Sequence, residues 1–364
     1  MFDVDVMQAQ LQKVIGAKKY QALHGVTIKK LLTGSIEELA EIADTFSRIK
    51  VPESKKVILH KIFRYDLSVL KGDDKKNAGT PYQRSISRFF SKNKKAINLC
   101  SCYFCNIDYI SSLSVLHEYK TPEDFLQNAS DSELKELKGL STGSVKYIHK
   151  RRKIADGFND IKALSFPGGD SKIKEQLLNR SFEIEKSQFT LDHFIGKARI
   201  PLLALSLYNF VPSCYACNSK FKGSEDIISA PGEAFLCATS NNFNFQEDVK
   251  FKLFYKKGSV MIRSENDFEV RLVPSRKHNE YSKFIRVFKL NSRYRMHKQD
   301  ALGLILKHRS YRPSNIKAIA KLTRKSIDQV KRDIFGVELY ADDDSKYSKT
   351  KFKKDVAENI GIKC

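Results

Sequence analysis

The sequence predicts an α+β protein, mostly helical, from three observations. Apolar residues recur at helical spacing towards both ends, a stretch after residue 250 alternates with strand period, and two CxxC pairs lie far apart. Residues 1–95 read as a helical region. Ser35-Ile36-Glu37-Glu38 forms a capping box, and Ile36, Leu39, Ile42, Ala43 and Phe46 then share one helical face. A polar stretch, residues 71–79, breaks the pattern. Thr80-Pro81 opens a further helix, with proline in the first turn where its missing N–H costs nothing. That helix carries Arg84, Arg88, Lys92, Lys94 and Lys95 as either a phosphate-contacting or a solvated face.

Cys102/Cys105 and Cys214/Cys217 each have the two-residue gap that lets both thiolates of a turn reach one tetrahedral Zn2+. Two such pairs supply the four ligands of a closed structural site. Disulfides are the rival reading. The count of seven cysteines is odd, however, and no apolar signal stretch follows Met1, so the expected compartment is the cytoplasm, where bridges are rare. Cys100 could replace Cys102, although Cys102-Tyr103-Phe104-Cys105 has the better spacing; Cys237 and Cys364 read as ordinary.

These pairs frame Asp192-His193 in a strand-like stretch, 189–194, followed by a basic loop with Lys197 and Arg199. Asn209 stands in a second strand, 206–211, and Asn218 directly follows Cys217 where a helix opens. The order resembles the HNH endonuclease family over residues 189–223 plus the distant Cys102/Cys105 pair. Asn218 takes the place where that family more often has histidine; an amide oxygen also ligates a hard cation. The resemblance implies a zinc-stapled ββα-metal (HNH) module within residues 96–225. It also implies metal-dependent cleavage of nucleic acid, DNA favoured over RNA, in the manner of effectors of bacterial anti-phage defence or restriction, with a protein partner in such a complex.

The chemistry stands beside the resemblance. Hydrolysing a phosphodiester requires a deprotonated water, a cation on the phosphate oxygens and neutralisation of developing charge. Asp192 and Asn218 are oxygen donors suited to catalytic Mg2+ or Mn2+, and His193 can take the proton from water. Asn209 is expected to support catalysis by bracing the hairpin, and Lys197, Arg199, Lys220 and Lys222 to contact phosphates.

Composition narrows the partners. With 65 basic against 42 acidic residues, the net charge of +23 points to nucleic acid. No apolar run approaches a membrane span, no basic amphipathic stretch favours a membrane surface, and no glycine loop cradles a nucleotide. A non-catalytic zinc-containing nucleic-acid-binding adaptor, a toxin-like nonspecific nuclease and a mobile-element endonuclease are the alternatives. The intact Asp192, His193 and Asn218 speak against the adaptor.

A helical insertion is expected over about residues 112–180. Thr121-Pro122-Glu123-Asp124 caps one helix, and Ser132–Leu137 forms another that stops at Gly139. The stretch from Leu134 to Ile148 resembles a helix-hairpin-helix, with Ser141 where a second glycine is usual; a glycine-capped helix pair is the plainer reading. Lys146, Lys150, Arg151 and Arg152 make the following helix a second candidate for nucleic-acid contact. In the C-terminal region, 226–340, Phe251, Leu253 and Tyr255 alternate, Lys256-Lys257-Gly258 turns, and Val260 and Ile262 return. Phe268, Val270 and Leu272 would add a third strand. Helical spacing resumes at Tyr281 and ends in a helix-turn-helix pattern about Thr323-Arg324-Lys325-Ser326, with Gln329, Lys331 and Arg332 available to DNA. Residues 341–364 read as a flexible basic tail.

Overall fold

The Ser35 hydroxyl accepts from the Glu38 amide, and the Glu38 carboxylate accepts from the Ser35 amide at 2.9 Å. This reciprocal cap satisfies two N–H groups that a helix start leaves unpaired, and the Ile36–Arg48 helix follows. It buries Ile36, Leu39, Ile42, Ala43 and Phe46, the face its spacing predicts. The computed structural model describes residues 4–65, 82–97, 100–114, 119–179, 185–223, 236–256 and 261–363. Among them helices predominate, and three two-stranded antiparallel sheets complete an α+β fold. The expected break at 71–79 and the Thr80-Pro81 helix start lie outside the described residues; the helix is seen as Gln83–Lys92.

The chain divides into two units, Met1–Ile110 with Phe189–Cys364, and Ser111–Gln188. Strands β1 (Ser112–Ser114) and β2 (Glu185–Ser187) pair antiparallel at the ends of the second unit. Its helices, Pro122–Asn128, Asp131–Leu134, Thr142–Arg151 and Asp170–Leu178, enclose a core that includes Phe125, Ile148, Phe166 and Leu177. The helix before Gly139 is shorter than expected and starts one residue earlier, because Ser130 caps it. The expected hairpin at Gly139 packs against a second one, 167–169, that the sequence reading missed. Gly139 has φ +85°, and a Cβ on Gly169 would run into the Gly139 carbonyl. The Ser141 and Ser144 hydroxyls both donate to the Pro167 carbonyl, at 2.7 and 2.6 Å. Ser141 therefore works as a helix cap and a tie between hairpins, a task glycine could not perform.

The basic helix is less available to a ligand than its composition suggests. Arg152 donates from Nε and Nη2 to the Leu126 and Ala129 carbonyls, at 2.8 and 2.6 Å. Carbonyls at a helix C-terminus lack internal partners, and a guanidinium supplies them. Arg151 donates to the Tyr147 hydroxyl at 3.2 Å, whereas Lys146 and Lys150 are exposed.

In the first unit, β5 (Val249–Tyr255) pairs with β6 (Phe268–Pro274), Val249 opposite Pro274 and Tyr255 opposite Phe268. The return strand is thus the one expected as a third; residues 257–260 lie outside the described set, and Ile262 is buried outside any strand. Alternating Phe268, Val270 and Leu272 bury one face against Phe251, which a two-residue return could not match. The supposed flexible tail is a packed helix, Thr350–Asn359. Phe352, Val356 and Ala357 form a helical stripe inside the lysine run and are fully buried, while Lys351 and Asp355 form a buried pair at 3.0 Å. Phe352 meets Phe251 edge-on at 5.1 Å and Tyr294 at 5.1 Å. No helix among the described residues is long and apolar enough to cross a membrane. Phe352→Ala is expected to cost about 3–5 kcal/mol of stability, read as a lowered urea midpoint; a tail that does no structural work would leave the midpoint unchanged.

Candidate active site and metal cluster

Strands β3 (Thr190–His193) and β4 (Phe210–Ser213) pair antiparallel, placing Asp192 opposite Val211 and His193 opposite Phe210. The second strand starts later than expected, because residues 207–209 form a 3-10 turn. That turn sets Asn209, fully buried, against the loop 195–205. Its Oδ1 accepts from the Ile195 amide at 2.7 Å, and its Nδ2 donates to the Ile195 and Leu203 carbonyls at 3.0 Å. Asn209 is accordingly a positioning residue. The Ser206 hydroxyl donates to the Leu31 carbonyl and ties this loop to the N-terminal helices.

The two CxxC turns converge: the four buried sulfurs lie within 4.8 Å of one another and could hold one metal ion. The described cysteines are free thiols, and the Cys214 amide donates to Cys102 Sγ at 3.3 Å, the Cys217 amide to Cys214 Sγ at 3.4 Å. Arg293, from the Leu290–Arg295 helix, donates to Cys217 Sγ at 3.0 Å, Cys105 Sγ at 3.4 Å and Asp108 at 3.1 Å. Its guanidinium also stands 4.9 Å from the Phe221 ring centre. Hydrogen bonds from Cys102, Cys214 and Cys217 pull the Cys105 thiol well below its ordinary value, and the Arg293 charge adds to them. Burial pushes Cys102 up instead and the shared hydrogen bonds push Cys217 up, so within this cluster the Arg293 cation favours the thiolate at Cys105.

A pocket of about 510 Å³ opens beside this cluster, lined by Tyr65, Asp192, His193, Lys197, Asn218 and Lys222 among others. A larger groove of about 730 Å³ lies along the Val4–Ile15 and Glu53–Ile62 helices, but its lining, aliphatic and basic with Gln10 and Tyr82, includes no acid. Asp192 is 4% exposed. Its Oδ1 accepts from Lys222 Nζ at 3.0 Å, whereas its buried Oδ2 has no hydrogen-bond partner among the described residues. Burial pushes the Asp192 carboxyl up from 3.8 to about 6, against the pull of Lys222 and then Lys197. The His193 ring lies edge-on to Tyr65 at 4.5 Å, with Nε2 3.0 Å from the Ala204 carbonyl. A carbonyl only accepts, so neutral His193 carries its hydrogen on Nε2 and its lone pair on Nδ1.

Asn218 and Lys222 reach the pocket from the π-helix Ala216–Lys222. The Gly223 amide donates to the Asn218 carbonyl at 2.9 Å, five residues back, and this wide turn brings both side chains to one face. Lys222 was expected to contact phosphate. Instead it is 5% exposed and donates to Asp192 and, at 2.9 Å, to the His193 carbonyl, because a buried ammonium needs a buried acceptor. Its four-residue spacing from Asn218 was the available signal. Lys197 stands 4.6 Å from the Tyr65 ring centre, Arg199 is exposed at the pocket wall, and Lys220 is exposed on the helix. Arg293 gave no sequence signal, being remote from every ligand. No family model, curated protein or solved structure matches the chain.

A raised carboxyl value means that the folded state binds the proton more tightly than the unfolded state. For Asp192 this favours folding below about pH 4 and is lost as pH rises through about 6. Without divalent cation, Asp192→Asn should therefore match wild type near pH 4 and exceed its stability at pH 7, by at most about 3 kcal/mol. Melting curves across that range test this; parallel curves would place the carboxylate in a solvated setting.

Proposed function

We propose that the chain is a metal-dependent endonuclease of the HNH type that hydrolyses phosphodiester bonds in nucleic acid, DNA favoured over RNA. The supporting observation is the pocket in which the unpartnered Asp192 Oδ2, the His193 ring and Asn218 meet beside the four-thiol cluster. Asp192 Oδ2 and Asn218 suit a hard cation such as Mg2+ or Mn2+, which when bound supplies positive charge to the phosphate oxygens. His193 Nδ1 takes the proton of the attacking water while Nε2–H, held by Ala204, fixes the ring. Asn209 steadies this arrangement through Leu203, the neighbour of Ala204. Lys222 holds one oxygen of Asp192 and leaves the other, Oδ2, without a hydrogen-bond partner among the described residues. Lys197 and Arg199 line the same pocket and would contact flanking phosphates. Cys102, Cys105, Cys214 and Cys217 would hold a structural Zn2+. A role in phage defence or restriction follows only by analogy.

One observation favours the adaptor reading: the Lys222 ammonium already neutralises the carboxylate that a cation would need. Incubating plasmid DNA and RNA with and without Mg2+ or Mn2+ separates the two. His193→Ala should retain fold and binding yet lose roughly 10²–10⁴-fold in cleavage. Absent cleavage by wild type would leave the adaptor, whereas metal-independent cleavage would remove the cation, and equal cleavage by the variant would remove His193, from the reaction. Elemental analysis should find about one zinc per chain, and Cys217→Ser should lose it, melt early and fail to cut, since such sites contribute on the order of 10 kcal/mol to folding. A Cys217→Ser protein that keeps zinc and melting point would separate the two cysteine pairs.

A further inference from the structure

The Pro313–Thr323 and Ile327–Phe335 helices pack through buried Ile316, Ala320, Val330 and Phe335, with Lys307 of the Lys298–Ser310 helix donating to the Ile334 carbonyl at 2.7 Å. Between them Arg324 adopts φ +55°, a left-handed conformation unusual for a side chain of this size, and Ser326 caps the second helix. All residues from 321 to 329 are exposed, including Leu322 at 84%.

The polar groups of this element fall into two sets. The residues that sequence spacing offered for base reading are engaged internally. Gln329 accepts from the Ser326 amide at 3.0 Å, Lys331 lies 3.6 Å from Asp328, and Arg332 stands over the Tyr340 ring. Asp333, the other acid, pairs with Lys325 at 2.7 Å. The second set is cationic and unmatched: exposed Lys317, Lys321 and Arg324 have no ion pair among the described residues. Lys317 and Lys321 lie one helical turn apart, where like charges destabilise by a few tenths of a kcal/mol. Neither has an acidic partner among the described residues.

We propose that Lys317, Lys321 and Arg324 form a clamp for the phosphate backbone of duplex DNA, one that positions the molecule without reading its sequence. Cations without free amide or carboxylate recognition groups contact phosphates, which fix register but carry no base information. Single strands are bound by aromatic stacking platforms, and the only aromatic residue from 313 to 335, Phe335, is buried. The clamp deepens the nucleic-acid reading above but does not depend on the chemistry of the Asp192 pocket.

The test uses the full-length protein without added divalent cation. Anisotropy would be measured with labelled duplexes of two unrelated sequences, a matching single strand and anionic phosphatidylserine vesicles. Wild type is compared with K317E/K321E/R324E and with K317Q/K321Q/R324Q, after melting curves confirm their fold. Both variants should lose duplex affinity equally on the two sequences, by more than about tenfold at physiological salt for the charge reversal. The salt slope should shrink by roughly 0.9 for each phosphate contact removed. Unchanged duplex binding, loss on one sequence only, or loss confined to vesicles or single strands would overturn the clamp. Cutting is read separately, in the plasmid and RNA incubations, so an inactive wild type that binds through these residues refutes the nuclease reading alone. A cutting protein whose variants bind normally refutes the clamp alone.

Discussion

Four sulfurs within 4.8 Å of one another, drawn from turns far apart in the chain, are the constraint on which the first unit depends. Thiolates this close repel unless a cation lies among or beside them. Arg293 is the cation the chain itself provides, and it extends the constraint to a third segment, since the adjacent Tyr294 donates to the Cys105 carbonyl at 2.6 Å. Tyr294 in turn packs on Phe352, so the C-terminal helix is linked through two aromatic rings to the cysteine turns. The candidate pocket is attached to this chain of contacts: its helix starts at one cysteine turn, and β4 ends there.

Within the pocket, the physical tension lies in one carboxylate. Asp192 is buried enough to resist ionisation, yet one of its oxygens holds an ammonium and the other holds nothing described. Burying an ion pair seldom gains net stability, because desolvation offsets the attraction. Such an arrangement is more readily explained by binding than by folding.

The local parts of this structure were legible because they depend on neighbours in sequence. Ser35 and Thr121 cap helices as their spacing indicates, and Asp192, His193 and Asn218 do line one pocket. What failed was the inference of exposure from charge. Lys222 and Arg152 were expected to contact phosphates and Lys351 to lie in a flexible tail, yet each is committed to carbonyls or carboxylates contributed by other segments. The strand pairing failed for a related reason: alternation identified 251–255 and 268–272 as strands, but no local rule stated which would pair. Arg293 at the thiols is wholly a product of tertiary structure.

The inserted unit has a consequence for the order of assembly. It has its own core, and its ends are joined by β1 and β2, with the Gln188 amide bonded to the Ser111 carbonyl at 2.8 Å. When it folds first, as its local contacts favour, the stretch separating Cys105 from Cys214 is shortened from the viewpoint of a diffusing chain. Each halving of that open loop removes roughly 0.6 kcal/mol from the entropy of closing it. A folded insertion is thus an internal splint, holding Ser111 and Gln188 together between the two halves of the cysteine cluster.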